Sequence, residues 1–109
     1  MPALFRATLI ALLMISSATP RANTVGLGGA RDCGTWTRDN PAQGGLGLLY
    51  QQWVFGFLSA ASHADPDHDP LKGIDVAAIM QWLDEYCQHS PNVPLADAAT
   101  AFVQAHHPP

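Results

Sequence analysis

Few charges, few cysteines and no long apolar run mark this chain of 109 residues. Five lysines and arginines stand against nine carboxylates, and Lys72 and Glu85 are the sole residues of their types. That balance excludes a nucleic-acid binder, because no basic footprint exists to displace counterions from phosphates. No segment alternates in polarity with period two over six or more residues, so no sheet is expected. A Gly-x-Ser-x-Gly elbow is absent, and Ser59 and Ser62 beside His63 make no triad by adjacency alone. The Gly26-x-Gly28-Gly29 run follows no strand and leads to no Lys-Ser/Thr pair, so it does not read as a phosphate loop. Asp84 and Glu85 are consecutive and flank an exposed helical face. These absences predict a protein that is not an enzyme and carries no cofactor.

The first residues carry the marks of an export signal. Arg6 gives a positive start, Ala7 to Ile15 an apolar core, and Ser16 to Ala22 a small, polar close. The apolar core falls short of the ~20 residues needed to span hydrocarbon, which disfavours a membrane anchor. Cleavage after Ala18 places Ser16 and Ala18 at the small-residue positions; a cut as late as residue 22 is the alternative. No cysteine follows closely enough for a lipoprotein. Residues 1–18 are thus assigned to a signal peptide and the protein to export into an oxidising compartment. What remains has four basic and nine acidic side chains, a net charge of −5 with neutral histidines. That suits a protein without stable membrane insertion, or one meeting a basic partner.

Beyond the signal, 19–32 is glycine-rich and poor in large apolar side chains, and is expected as a flexible arm. A single helical domain is assigned to 33–105 and a frayed tail to 106–109. Asn40-Pro41 has the form of a helix start, with the glycines that follow shifting the stable helix toward Leu46. From there Leu46, Leu49, Tyr50, Trp53, Phe57, Ala60 and Ala61 recur at spacings of three and four, predicting a helix to about Ser62. Gly56 inside it costs about 1 kcal/mol against alanine, which points to close approach of a neighbouring helix. Pro66 and Pro70 make His63 to Gly73 a loop. Asp75 caps a second helix with Val76, Ile79, Met80, Leu83 and Cys87 inward, and Ser90-Pro91 follows its end. Pro94 opens a third, patterned by Leu95, Ala98, Ala99, Phe102 and Val103. The predicted class is all-α: a small bundle of three main helices, with a short extra turn around Cys33 to Arg38.

About ninety residues make a marginal core, for which a covalent staple is a common remedy. Cys33 and Cys87 are too far apart for a Cys-x-x-Cys redox motif and, in an oxidising compartment, are expected to pair structurally. Trp36, Trp53, Gly56, Phe57, Trp82, Leu83 and Phe102 are assigned to the core. Phe55 lies off the main stripe and, with Val54, is a candidate interaction patch. The sharpest candidate for chemistry is the loop His63-Ala-Asp65-Pro-Asp67-His68-Asp69. Its three alternating carboxylates begin like a calcium loop, but Pro70 stands where glycine is required and Val76 where a bidentate glutamate belongs. His63 and His68 with an aspartate form a reasonable zinc set. A solvated turn in which the aspartates accept turn hydrogen bonds is the competing reading. His106 and His107 offer a weaker set on a tail expected to fray.

The order Cys33-x-x-Trp36, Trp53-Val-x-Gly56-Phe-Leu-Ser-Ala60, Trp82-Leu-Asp-x-Tyr86-Cys87, Pro91 and a terminal amphipathic helix resembles the HdeA/HdeB-like group of small periplasmic proteins. It is also similar to the related immunity proteins that neutralise type VI secretion effectors. The resemblance, from Cys33 to Val103, implies a compact helical domain in a Gram-negative periplasm, with Cys33 and Cys87 bridged and Gly56 as the tight-packing glycine of the first long helix. It implies no catalytic residue. It implies protein partners: unfolded clients for an acid-stress chaperone, or a single toxin for an immunity protein. At low pH the carboxylates lose charge and the five histidines gain it, so the net charge turns positive. A metal-binding protein using the His63–Asp69 loop is the third reading. Oligomeric state is left open.

Overall fold

The computed structural model describes residues 23–39 and 45–108. The signal segment, the Asn40-Pro41 helix start and Pro109 lie outside the described residues. Among the described residues five α-helices follow in order: α1 (Leu27–Ala30), α2 (Cys33–Asp39), α3 (Leu46–Ala64), α4 (Val76–His89) and α5 (Leu95–Ala105), with a 3-10 turn at Pro66–His68 between α3 and α4. No strand occurs among the described residues, and the sole bridge is Asp32 with Pro94. The all-α class is therefore as expected, but the three main helices are joined by α2, seven residues long, and by the short α1. Among the described residues no helix is long and apolar enough to cross a membrane.

Of the three long helices, α4 alone opens on a side-chain cap. Asp75 Oδ1 accepts from the Ala78 amide at 2.8 Å, closing one of the free donors of α4. Buried Ile79, Leu83 and Cys87 give α4 one inward stripe, and Leu95, Ala98, Ala99 and Phe102 do the same for α5. Helix α3 differs from its predicted face. Tyr50, Val54 and Leu58 are buried, whereas Leu46, Leu49 and Ala60 face solvent. Its sequence is apolar on nearly every side, so a spacing of three and four fits more than one face. Full burial of Val54 and Leu58 contributes roughly 1.5–3 kcal/mol each. This corrects the Val54–Phe55 patch: Val54 lies in the core, and Phe55 is half-buried against it.

Trp36, Leu83 and Phe102 are fully buried, as assigned, while Trp53, Phe57 and Trp82 are half-buried around the core. Gly56 is exposed, and a Cβ there would meet nothing within 4 Å. The close approach happens elsewhere. A Cβ on Gly28 would lie 2.5 Å from Trp53 Cβ, and one on Gly29 would collide with the indole ring. The Trp53 Nε1–H donates to the Val25 carbonyl at 2.7 Å. The described part of the segment read as a flexible arm thus carries a helical turn, α1, seated on α3. Its glycines bring the backbone against the Trp53 ring, which is half-buried with α1 in place.

Candidate functional site

Two regions hold the side chains singled out by sequence: the end of the bundle where α2 meets α4, and the loop from α3 to α4. At the first, Cys33 and Cys87 are disulfide-bonded, 54 positions apart, and both are buried. One turn along α2, the Trp36 Nε1–H donates to Asp84 Oδ1 at 2.8 Å. The indole is thereby satisfied inside the core, and Asp84 is turned toward α2 rather than standing as half of an exposed acidic pair with Glu85. The opening amides of α2 are met from the α4–α5 turn: Cys33 donates to the Val93 carbonyl and Gly34 to that of Pro91, both at 2.8 Å. In return the Leu95 amide, at the start of α5, donates to the Arg31 carbonyl at 2.7 Å. Asp32 completes the joint by accepting from the Thr35 amide at 2.8 Å and its hydroxyl at 2.9 Å. Those two bonds, aided by the charges of Arg38 and Arg31, hold the Asp32 carboxyl below its ordinary range.

The loop separates into working and idle carboxylates. Asp69 Oδ1 accepts from the Ser62 hydroxyl at 2.6 Å and the Leu71 amide at 2.8 Å, tying the end of α3 to the loop. The Ser62 bond first, then the Leu71 amide, lowers its pKa. Asp69 thus fills the role of a turn-forming aspartate. Asp65 faces His68, whose Nδ1 lies 3.0 Å from Oδ1 and 3.1 Å from Oδ2. His63 and Asp67 are exposed and join no group of three metal-ligating side chains among the described residues. The group that does form is Asp65, His68 and His107, with ligand atoms all within 4.8 Å of one another.

His107 belongs to the tail expected to fray. The His107 ring stacks on His68 with centroids 4.8 Å apart and planes 15° off parallel. Its neighbour His106 turns inward: Nδ1–H donates to the Phe102 carbonyl at 2.8 Å, and the ring stacks on Phe102 at 4.0 Å. His106 therefore caps α5 instead of offering a ligand. Local spacing could not pair His68 with His107, since the whole of α4 and α5 lies between them. The signal missed in the sequence was Phe102-x-x-x-His106, the helical spacing that brings the tail back over the bundle.

The described surface carries one more feature. Leu46, Leu48 and Leu49, in the first turn of α3, are 53%, 49% and 56% exposed. Their exposure is the reverse of what the predicted stripe required of Leu46 and Leu49. A shallow apolar hollow lies elsewhere, lined by Phe55, Leu58, Leu71, Ile74, Val76 and Ile79. No family model matches this sequence, and neither a curated protein nor a solved structure matches it.

Proposed function

We propose that this chain is an exported, non-enzymatic helical protein that binds other proteins in the manner of the HdeA-like group, taking clients unfolded by acid. The observation that carries the reading is the leucine cluster at the start of α3. Three large apolar side chains half in water on adjoining helical positions make a surface that gains by covering, at roughly 25 cal/mol per Å² of apolar area removed from water. The two hydrogen-bonded carboxylates support an acid response. Asp32 and Asp69 each have a depressed pKa in the folded chain. Their contribution is complete above the unfolded carboxylate range and is lost as pH falls through the folded value. Acid therefore loosens the start of α2 and the α3–α4 loop together, exposing apolar surface in addition to the leucine cluster.

The test is light scattering of an acid-unfolding client at pH 2–3 with increasing amounts of this protein. Suppression of scattering, reduced several-fold by the combined change of Leu46, Leu48 and Leu49 to serine, is the expected result. Unchanged scattering at a several-fold molar excess of the wild-type chain would reject the chaperone reading. One stoichiometric partner captured at neutral pH without acid protection would instead favour the immunity-protein reading.

A further inference from the structure

We propose that Asp65, His68 and His107 form a binding site for a late first-row divalent ion, zinc in the first instance, that fastens the C-terminal tail to the α3–α4 loop. The donor set is one carboxylate oxygen and two imidazole nitrogens, the chemistry that suits zinc and, with it, copper and nickel. The Asp65 carboxylate and His68 Nδ1 lie 3.0 Å apart. Two donors at that spacing, each about 2.1 Å from an ion, subtend about 90°, so both reach one metal as neighbouring ligands. The Nδ1 proton of His68 moves to Nε2 when the ion takes its place, so the ring ligates as a neutral imidazole. His107 supplies the third donor. The three ligand atoms already fall within 4.8 Å of one another, against about 3.4 Å between ligands of tetrahedral zinc. Rotation of the exposed His107 side chain closes that difference without moving a helix. The remaining position faces solvent and takes water.

Two features of the surroundings favour the site. Inward capping by His106, through its bond to the Phe102 carbonyl, presents the next residue to the loop, so His107 is delivered by α5 rather than by chance. Local charge is also favourable: Asp65, Asp67 and Asp69 lie on this loop, opposed by Lys72 in the adjoining hollow where His107 also lies. The set differs from one confined to the loop, because it omits His63, Asp67 and Asp69 and requires a residue from the end of the chain. It is also independent of client binding, which uses the opposite end of α3.

Calorimetric titration of the untagged chain with zinc chloride decides the matter. One equivalent is expected to bind in the micromolar range, with affinity at least tenfold lower in His107→Ala, unchanged in His63→Ala, and lowered by much less than tenfold in Asp67→Asn, which removes only a nearby charge. His107 lies beyond the last helix, so its replacement leaves the fold intact, and a matched far-UV circular dichroism spectrum verifies this. A zinc-dependent rise in the melting temperature of the wild-type chain, absent in His107→Ala, is the second expected readout. No zinc uptake, uptake that survives His107→Ala, or uptake lost in His63→Ala would each overturn the proposal.

Discussion

Replacing either of two glycines by alanine should move stability in opposite directions. Gly28 lies under the Trp53 side chain, where an added Cβ would sit 2.5 Å from Trp53 Cβ. That is well inside van der Waals contact, and both atoms belong to short, stiff parts of the structure. Either the indole turns away or α1 lifts off, and lifting strains the Trp53 Nε1–Val25 hydrogen bond of 2.7 Å. Overpacking of this kind costs about 1–3 kcal/mol. For a domain of this size about 1 kcal/mol corresponds to 4–8 °C in melting temperature, so Gly28→Ala should melt roughly 5–20 °C lower. Gly56 is the converse. It lies exposed in the middle of α3 with nothing within 4 Å of a Cβ, and alanine there recovers about 0.8–1 kcal/mol of helix propensity. Gly56→Ala should therefore melt a few degrees higher. Thermal denaturation by circular dichroism, with tryptophan emission reporting the seat of Trp53, measures both. Equal effects of one sign, or a Gly28→Ala variant as stable as the wild type, would refute the account of α1 as a turn packed on that ring.

Reduction of the Cys33–Cys87 bond, or its replacement by two alanines, should be more severe. The separation of 54 residues gives a loop-closure contribution of about 4 kcal/mol in the chain-entropy model; an urea-unfolding midpoint that stays in place with reductant would contradict it. Acid should destabilise the chain through Asp32 and Asp69, whose folded pKa values are depressed. Asparagine at both positions should reduce the loss of melting temperature between pH 7 and pH 3, and an unaltered slope would show that other groups govern the acid response. Trp36→Phe keeps the ring buried but leaves Asp84 without its donor, for an expected loss of about 1–3 kcal/mol. A double-mutant cycle with Asp84→Ala, which removes the acceptor, reads the coupling; a value near zero would mean that the bond adds nothing.

The parts of this fold that were legible in sequence are those fixed by local chemistry. Asp75 as a cap, Pro66 and Pro70 as breakers, and the narrow stripes of α4 and α5 each act over a few residues. Helix α3 was harder because its apolar residues surround the axis, and burial there depends on what arrives from outside. That contribution is α1, whose glycines read as slack until Trp53 is placed over them. The loop divided similarly. Asp65 and His68 sit three positions apart and could be paired by eye, whereas Asp69 is committed to Ser62 and Leu71. His107 joins them only because α5 ends in a histidine that folds back on Phe102. The exposed leucines of α3 were misread for the same reason as its core: a period marks a face without saying whether another element covers it.

The disulfide also determines what a protease can remove. With Cys33 bonded to Cys87, α2, α3 and α4 lie within a covalent ring, and α1 and α5 are its two tails. A single backbone cut anywhere inside the ring, including the solvent-facing 65–75 loop, opens the circle but releases no fragment. A cut in the 90–94 turn, by contrast, detaches α5 and with it buried Leu95 and Phe102. The vulnerable peptide bonds are therefore those outside the ring. The α4–α5 turn, whose carbonyls already hold the first amides of α2, is the point where one nick would dismantle the bundle.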